Sequence, residues 1–493
     1  MEDTNDLTVN LKEKVREVLD VLQIEQERKP LRLVQQFGYL AYVRLFVESQ
    51  KSEKLQPYFP YGGFPMEWTR GDEAMDDQQR IWQLQYQMQY CSSIVEEGHF
   101  MEQARAVENV GWLKKLCKLI DWIADQCNWE SGIPVLFGTA MEEMIQQIYS
   151  MGNSGLFLMP DILTDLLIRL AEEEIPRTTE ENSEEKYQVW NPSCRTGAFL
   201  AALHRSCPQW TVTGTEAEKE QVLLAQMLRF YHGVSHGKII WEDPLENKSR
   251  ELYDLIVTNP PVGELNMELQ ERFPIVTRKI QLQYLQLVME HLKQQGLAVV
   301  VVNEGMLFKF EAEMKVRQRL VEEFQLEGVI SLPAGAFLPY TVSKASVLLF
   351  SNPAEKREEN ACVWFYELEN PGYSLDKKRE PVEESQLPDL LESWKNRRNT
   401  QQEWKKQLTA GTKKNQWENL VPESWIGANC WFADKETIRR NDYNLTAGRY
   451  KPWKETREEI SQSPLELLTE LAKMEQETME QIKELIEMTK KYG

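Results

Sequence analysis

The sequence predicts an α/β protein: a doubly wound, Rossmann-like sheet preceded by a helical domain and followed by a helical tail. Three observations carry this reading. Between residues 187 and 366, short apolar runs alternate with helical patterns and are joined by short glycine-containing turns, as in a sheet with helices on both faces. The apolar run Leu255-Ile256-Val257 stops abruptly at Thr258-Asn259-Pro260-Pro261, where two prolines forbid strand or helix to continue. Glu216 closes a strand nineteen residues after Gly197, the distance at which nucleotide-type α/β folds commonly place a ribose-binding acid.

Residues 1–150 read as a helical domain. Val15, Val18, Leu19, Leu22 and Ile24 recur at helical spacing, as do Leu113, Leu116, Leu119, Ile120 and Ile123, with turns between them at residues 57–65. His99 and Cys91 read as core or surface residues rather than ligands. Residues 151–370 form the sheet domain. After a loop at Gly152 to Gly155, Pro160 opens a helix through Leu163, Leu166, Leu167 and Leu170, and residues 172–186 form an acidic, exposed connection. Strands follow at 187–190, 211–216, 238–241, 255–257, 297–302, 328–332, 346–350 and 362–366. Helices are expected from 198, over 281–292 and over 316–324. The sheet pattern ends at Glu367. Residues 371–493 hold a basic, tryptophan-containing segment and a terminal amphipathic helix opened by Ser463-Pro464-Leu465-Glu466, with Leu467, Leu471, Met474, Ile482, Leu485 and Ile486 on one stripe.

Composition narrows the chemistry. With 42% hydrophobic residues and fifteen tryptophans in 493 residues, the chain is globular rather than disordered. Seven scattered cysteines without a CxxC pair, and five scattered histidines, argue against structural zinc and against a catalytic metal. No apolar stretch is long enough to span a bilayer and Met1-Glu2-Asp3 does not open a signal peptide, so a cytoplasmic protein without a membrane role is expected. The formal charge of −21 is awkward for a lone nucleic-acid binder, because phosphate contacts need Lys and Arg. Either a partner supplies the basic surface or it is local. Residues 395–414 hold seven basic side chains (Lys395, Arg397, Arg398, Lys405, Lys406, Lys413, Lys414) against Glu403, among Trp394, Trp404 and Trp417. This run is either a solvated helix or a phosphate track.

The most informative chemistry lies at Asn259. Its amide sits on a stiff loop at the carboxyl end of a strand, where open α/β sheets place their ligands, and it can both donate and accept hydrogen bonds. Together with Asn191-Pro192-Ser193-Cys194-Arg195-Thr196-Gly197, Glu216, Asp243-Pro244-Leu245 and the stretch from Leu326 to Phe337, this turn resembles the modification (methyltransferase) subunit of type I restriction–modification systems. The resemblance covers roughly residues 140–370 in order and spacing. It is looser over the helical front and over Asn441-Asp442-Tyr443-Asn444-Leu445 and Arg449-Tyr450.

The resemblance implies a DNA adenine-N6 methyltransferase with a methyltransferase-type sheet. It would use S-adenosylmethionine, flip its target adenine out of the duplex, and act with a DNA-specificity subunit and a restriction subunit. It implies that Asn259, Pro260, Pro261 and Val262 form the catalytic turn, with Asn259 and the Pro260 carbonyl accepting from the N6 amine. Pro160, Asn191, Ser193, Thr196 and Gly197 would lie at the methionine end of the cofactor, Glu216 at its ribose and Asp243 at its adenine. Four positions depart from the family pattern: Val262 replaces an aromatic, Asn191 an aspartate, Arg195 a glycine and Met159 a threonine. They motivate an alternative, a methyltransferase-like subunit that holds DNA or partners in a restriction or defence complex without chemistry. A more distant alternative is methylation of RNA or of protein glutamine.

Overall fold

In the computed structural model of the chain, the residues described are 2–21, 30–59, 66–71, 75–95, 99–104, 110–129, 133–150, 158–174, 187–234, 237–247, 249–265, 272–338, 340–354, 362–376, 378–410, 427–452 and 464–492. Five helices come first: α1 (Glu2–Val21), α2 (Leu31–Ser49), α3 (Asp77–Ile94), α4 (Val110–Asp125) and α5 (Leu136–Ser150). Val15, Leu19 and all five apolar positions singled out in α4 are buried, as helical spacing predicts. Leu22, Ile24, residues 60–65 and Gly152 to Gly155 lie outside the described residues. Asp76 caps α3 by accepting from the Gln78 and Gln79 N–H groups, satisfying donors that the helix start leaves orphaned. His99 does structural work: its Nδ1 accepts from the Met101 N–H, its ring stacks on Phe100 at 4.4 Å, and burial pushes its pKa down to about 4. Cys91 is fully buried.

The sheet unit begins with α6 (Asp161–Glu172), then β1 (Gln188–Asn191), α7 (Ala198–Ser206), β2 (Thr211–Glu216), α8 (Lys219–Tyr231), β3 (Gly237–Trp241) and β4 (Tyr253–Thr258). It continues through α9 (Ile280–His291), β5 (Leu292–Asn303), α10 (Gly305–Phe308), α11 (Ala312–Glu323), β6 (Gln325–Ser331), β7 (Ala345–Ser351) and β8 (Cys362–Glu367). The strand order is β3-β2-β1-β4-β5-β7-β6-β8-β9, where β9 is Cys430–Asp434. Strands β3 to β5 run parallel, and β7 inserts antiparallel between β5 and β6. Alternate residues of the central strands point to opposite faces. Ile256, Ala298, Val300 and Leu348 join the core beneath α9 and α11. On α8, Leu224, Met227 and Leu228 join the core of the N-terminal helices. The sheet is doubly wound, as the sequence predicts.

One expectation fails here. The sheet does not end at Glu367, because β9 pairs antiparallel with β8, with Tyr366 opposite Cys430. A five-residue strand more than sixty residues downstream carries too short a pattern to be read alone, yet Trp431, Phe432 and Ala433 are all buried by it.

The basic segment is also a structural element. Helix α12 (Leu387–Ala410) buries Trp394, Trp404 and Arg397, with the Arg397 guanidinium 2.6 Å from Glu174 and 3.6 Å above the Trp394 ring. Arg398 pairs with Glu174 at 2.8 Å. The first turns of the run therefore bind the sheet domain through Arg397, while Lys395 and Arg398 are exposed. Lys413, Lys414, Trp417 and residues 175–186 lie outside the described residues. A short helix α13 (Lys435–Arg440) follows β9, capped by Asp434 on the Thr437 N–H.

Contacts gather Met1–Lys406 and Asn429–Lys451 into one compact unit, so the front helices and the sheet belong together. Gln407–Ala428 and Pro452–Gly493 form the other. The latter holds α14 (Pro464–Tyr492), on which Leu468, Leu471, Met474, Met479, Ile482 and Ile486 are exposed; the side chains of Leu467 and Leu485 are not described. No helix among the described residues is long and apolar enough to cross a membrane.

Candidate functional site

β1 pairs on one side with β2 and on the other with β4, so the loops leaving β1 and β4 stand side by side where the chain changes direction across the sheet. Such a switch point is where α/β sheets open a ligand crevice. The β1 loop is a tight turn built by its own side chains. Asn191 Oδ1 accepts from the Ser193 N–H at 3.0 Å, and the Cys194 N–H donates to the Thr215 carbonyl at 3.1 Å. Arg195 and Gly197 both adopt left-handed backbone, at φ 51° and 82°. At Gly197 a Cβ would also lie 2.8 Å from the Ala225 Cα, so only glycine lets α7 approach α8. Arg195 has no such exemption from steric strain. The Glu216 carboxylate holds the turn, with one oxygen accepting from the Arg195 N–H at 2.9 Å and the other from the Glu218 N–H at 3.0 Å.

Two cavities adjoin these loops. The larger, about 420 Å³, is bordered by Asn191, Ser193 and Thr196 of the β1 turn, Thr258 and Asn259 of the β4 loop, and Asp161 of α6. The smaller, about 40 Å³, is bordered by Pro260 and Val262 together with Phe337 and Tyr340. Arg195 and Asn259 border both. The Asn259 Nδ2 and the Thr258 hydroxyl are buried without a hydrogen-bond partner. Buried polar atoms of this kind cost free energy unless a ligand or water completes them. Rotation of the Asn259 amide would present its oxygen at the same place.

The structure thus gathers Asn191, Ser193, Thr196 and Asn259 around one space, and Pro260 and Val262 around its neighbour. Pro160, Gly197, Glu216, Asp243 and Pro261 stand outside both linings. Pro160 is buried and caps α6, carrying Met159 and Asp161 to the cavity on either side of it. Asp243 Oδ1 accepts from the Leu245 N–H at 2.9 Å and so shapes its own turn. Both Glu216 oxygens are engaged by backbone, though each keeps a second lone pair. Sequence reasoning passed over Asp161, Thr258 and Tyr340. Asp161 was legible only as the neighbour of Pro160, and Tyr340 reaches the site from a loop whose path no local pattern encodes.

Comparison with known proteins bears on family and fold. Residues 134–459 match the family model of N-6 DNA methylases. The methylase subunit of the Escherichia coli type I restriction enzyme EcoEI is 29% identical over 283 residues, covering 53% of this chain and 55% of that one. The chain spans about half the length of the curated relatives it matches. Among solved structures, the type I restriction-modification methyltransferase subunit from Streptococcus thermophilus superposes with a TM-score of 0.64 at 18% identity, over 90% of this chain and 100% of that one. A chain from a structure of type I restriction–modification complex assembly gives 0.60 at 21% identity, over 97% and 98%. At such identities the structural likeness speaks for the fold. The family match, which spans all nine strands of the sheet and both loops of the site, settles ancestry: the chain belongs to the N-6 DNA methylase family.

Proposed function

We propose that the protein is the adenine-N6 methylating subunit of a type I-like modification complex, acting on DNA with S-adenosylmethionine. The observation that carries this reading is the Asn259 amide, half-buried with its Nδ2 unpartnered, at the point where the two cavities meet. The residues present fit the cofactor's methionine end. A cavity of about 420 Å³ is of ligand size, and amide, hydroxyl and carboxylate groups converge in it. Asn191, Ser193 and Thr196 would hold that end, with Glu216 and Asp243 flanking the nucleoside and Pro160 setting the α6 wall. S-adenosylmethionine supplies an electrophilic methyl group when bound.

The chain's own part is positioning. The Asn259 amide oxygen and the Pro260 carbonyl accept the two hydrogens of the target amine, turning its lone pair toward the larger cavity, while Pro260 and Pro261 keep the acceptors rigid. Because an adenine amine in a duplex is paired, the base must leave the stack to reach this turn. A chain of charge −21 gains DNA contacts most economically through a basic partner. Together with the likeness to a subunit from a complex assembly, this supports a separate specificity subunit, with a restriction subunit in the same assembly.

The test is transfer of labelled methyl from S-adenosylmethionine to DNA by the chain in complex with its specificity subunit. Asn259→Ala should abolish transfer while leaving the melting temperature in place, since the amide's Nδ2 has no internal hydrogen bond to lose. Transfer that persists in Asn259→Ala, or is absent from the intact complex, refutes the proposal. The left-handed Arg195 and the 63% exposure of Val262 favour one competing reading, a subunit that keeps the fold for assembly alone. Binding of S-adenosylmethionine by the wild-type chain, lost in Glu216→Ala, counts against that reading.

A further inference from the structure

The β1 turn is two charges more positive than the family pattern it resembles, since Asn191 stands for an aspartate and Arg195 for a glycine. A cationic ligand bound beside it needs a carboxylate from elsewhere in the wall. Four acids border the larger cavity; two sit in ion pairs and a third accepts a short hydrogen bond. Glu142 lies 3.1 Å from the Arg205 guanidinium and 3.2 Å from His232 Nε2. Asp165 is 2.8 Å from Arg169, and Glu143 accepts from the Gln147 amide at 2.7 Å. Asp161 accepts only a long bond from the neutral Gln146 amide, 3.3 Å, and forms no ion pair among the described residues. Though Asp161 is exposed as a residue, burial of its carboxyl end against the cavity wall and the nearby Glu142 carboxylate raise its pKa above the ordinary value, outweighing the Lys12 and Arg205 cations. A positive group would relieve both effects.

A second feature points the same way. Thr258, 1% exposed, borders this cavity with its hydroxyl unpartnered, so the space holds an unmet hydrogen-bonding group as well as an unpaired acid. We infer that Asp161 is the anchor for the α-ammonium group of an amino-acid-bearing ligand, the methionine portion of S-adenosylmethionine. This rests on the cofactor reading above. The ammonium rather than the sulfonium is assigned because it offers three N–H donors, whereas a sulfonium offers charge without hydrogen bonds. As Asp161 directly follows Pro160, the fixed φ of −56° at that residue sets where the carboxylate enters the cavity.

Calorimetry on the full chain with three probes tests this. S-adenosylmethionine and S-adenosylhomocysteine carry the ammonium; 5′-methylthioadenosine lacks the amino-acid portion. Asp161→Asn should weaken the first two by about ten- to a hundredfold, the range of a hydrogen bond to a charged group, and leave the third unchanged. Asp161→Glu should recover part of the loss, and thermal melts of each variant report that the fold is intact. Equal binding of all three probes by Asp161→Asn and wild type overturns the assignment of Asp161 alone. Failure of the wild-type chain to bind S-adenosylmethionine overturns the cofactor reading together with it.

Discussion

The backbone N–H of Arg195 donates to Glu216 Oε2 at 2.9 Å while Arg195 sits at φ 51°. The turn at the mouth of the site is thus held in left-handed backbone by a side chain from the next strand. For a residue with a Cβ this conformation costs about 1–2 kcal/mol, and a charge-assisted hydrogen bond of about 1.5–3 kcal/mol offsets it. Arg195→Gly and Arg195→Ala both remove the guanidinium, so their difference isolates the backbone. Arg195→Gly should be the more stable by about 1 kcal/mol in urea unfolding, despite glycine's greater freedom when unfolded. Equal midpoints would mean that the turn relaxes and the strain is not there.

That turn also shows what the sequence could and could not tell. Arg195 was legible as a glycine position because the resembled family has glycine there, and the structure gives it φ above zero. The strands of the sheet were legible from runs such as Leu255 to Val257, since a doubly covered strand is apolar throughout. Pairing was not legible. Nothing in Ser346 to Phe350 says that it enters between β5 and β6, and nothing in Cys430 to Asp434 says that it pairs with β8. Of the site, the turns were readable because prolines, glycines and acids mark them. Asp161, Thr258 and Tyr340 were not, because their roles come from tertiary proximity alone.

The basic run offers a clean contrast between a buried and a solvated cation. Arg397 is 4% exposed, paired with Glu174 and laid over Trp394, whereas Lys395 on the same helix is exposed. Arg397→Ala leaves Glu174 with only the solvated Arg398 as partner and should cost about 1–3 kcal/mol. Lys395→Ala should change stability by less than about 0.5 kcal/mol. Chemical denaturation of both variants measures the gap. Comparable small losses would return Arg397 to the solvated-helix class.

Acid stability should depend on one carboxylate joining α11 to α13. Glu322 accepts from Arg439 at 2.7 and 2.8 Å and from the Tyr443 hydroxyl at 3.1 Å, and lies 3.0 Å from Lys435. Its pKa is thereby lowered to about 2, chiefly by the Arg439 hydrogen bonds. A carboxylate depressed on folding contributes stability that is fully present above its unfolded value and is lost as pH falls toward the folded one. The window therefore runs from about 4.5 down to about 2. Wild type should lose melting temperature between pH 5 and pH 3 more steeply than Glu322→Gln. Parallel slopes would show that other carboxylates set the acid limb.

Under the proposed function, Val262 would face the flipped base. It follows the rigid Asn259-Pro260-Pro261 turn, is 63% exposed, and borders the small cavity with Phe337 and Tyr340. Base stacking on an aromatic ring is worth about 1–3 kcal/mol, of which an isopropyl group recovers a part by apolar contact. Because so little of Val262 is packed, Val262→Phe should leave the melting temperature unchanged. In the intact complex it should lower the concentration of DNA needed for half-maximal methyl transfer by about three- to thirtyfold, the equivalent of roughly 0.7–2 kcal/mol recovered from that stacking range. Direct titration of DNA binding should show the same gain on intact DNA and no gain on a strand abasic at the target, because a ring has nothing there to stack on. An unchanged DNA requirement would place the base against another surface of the same cavity, with Tyr340 the first residue to substitute.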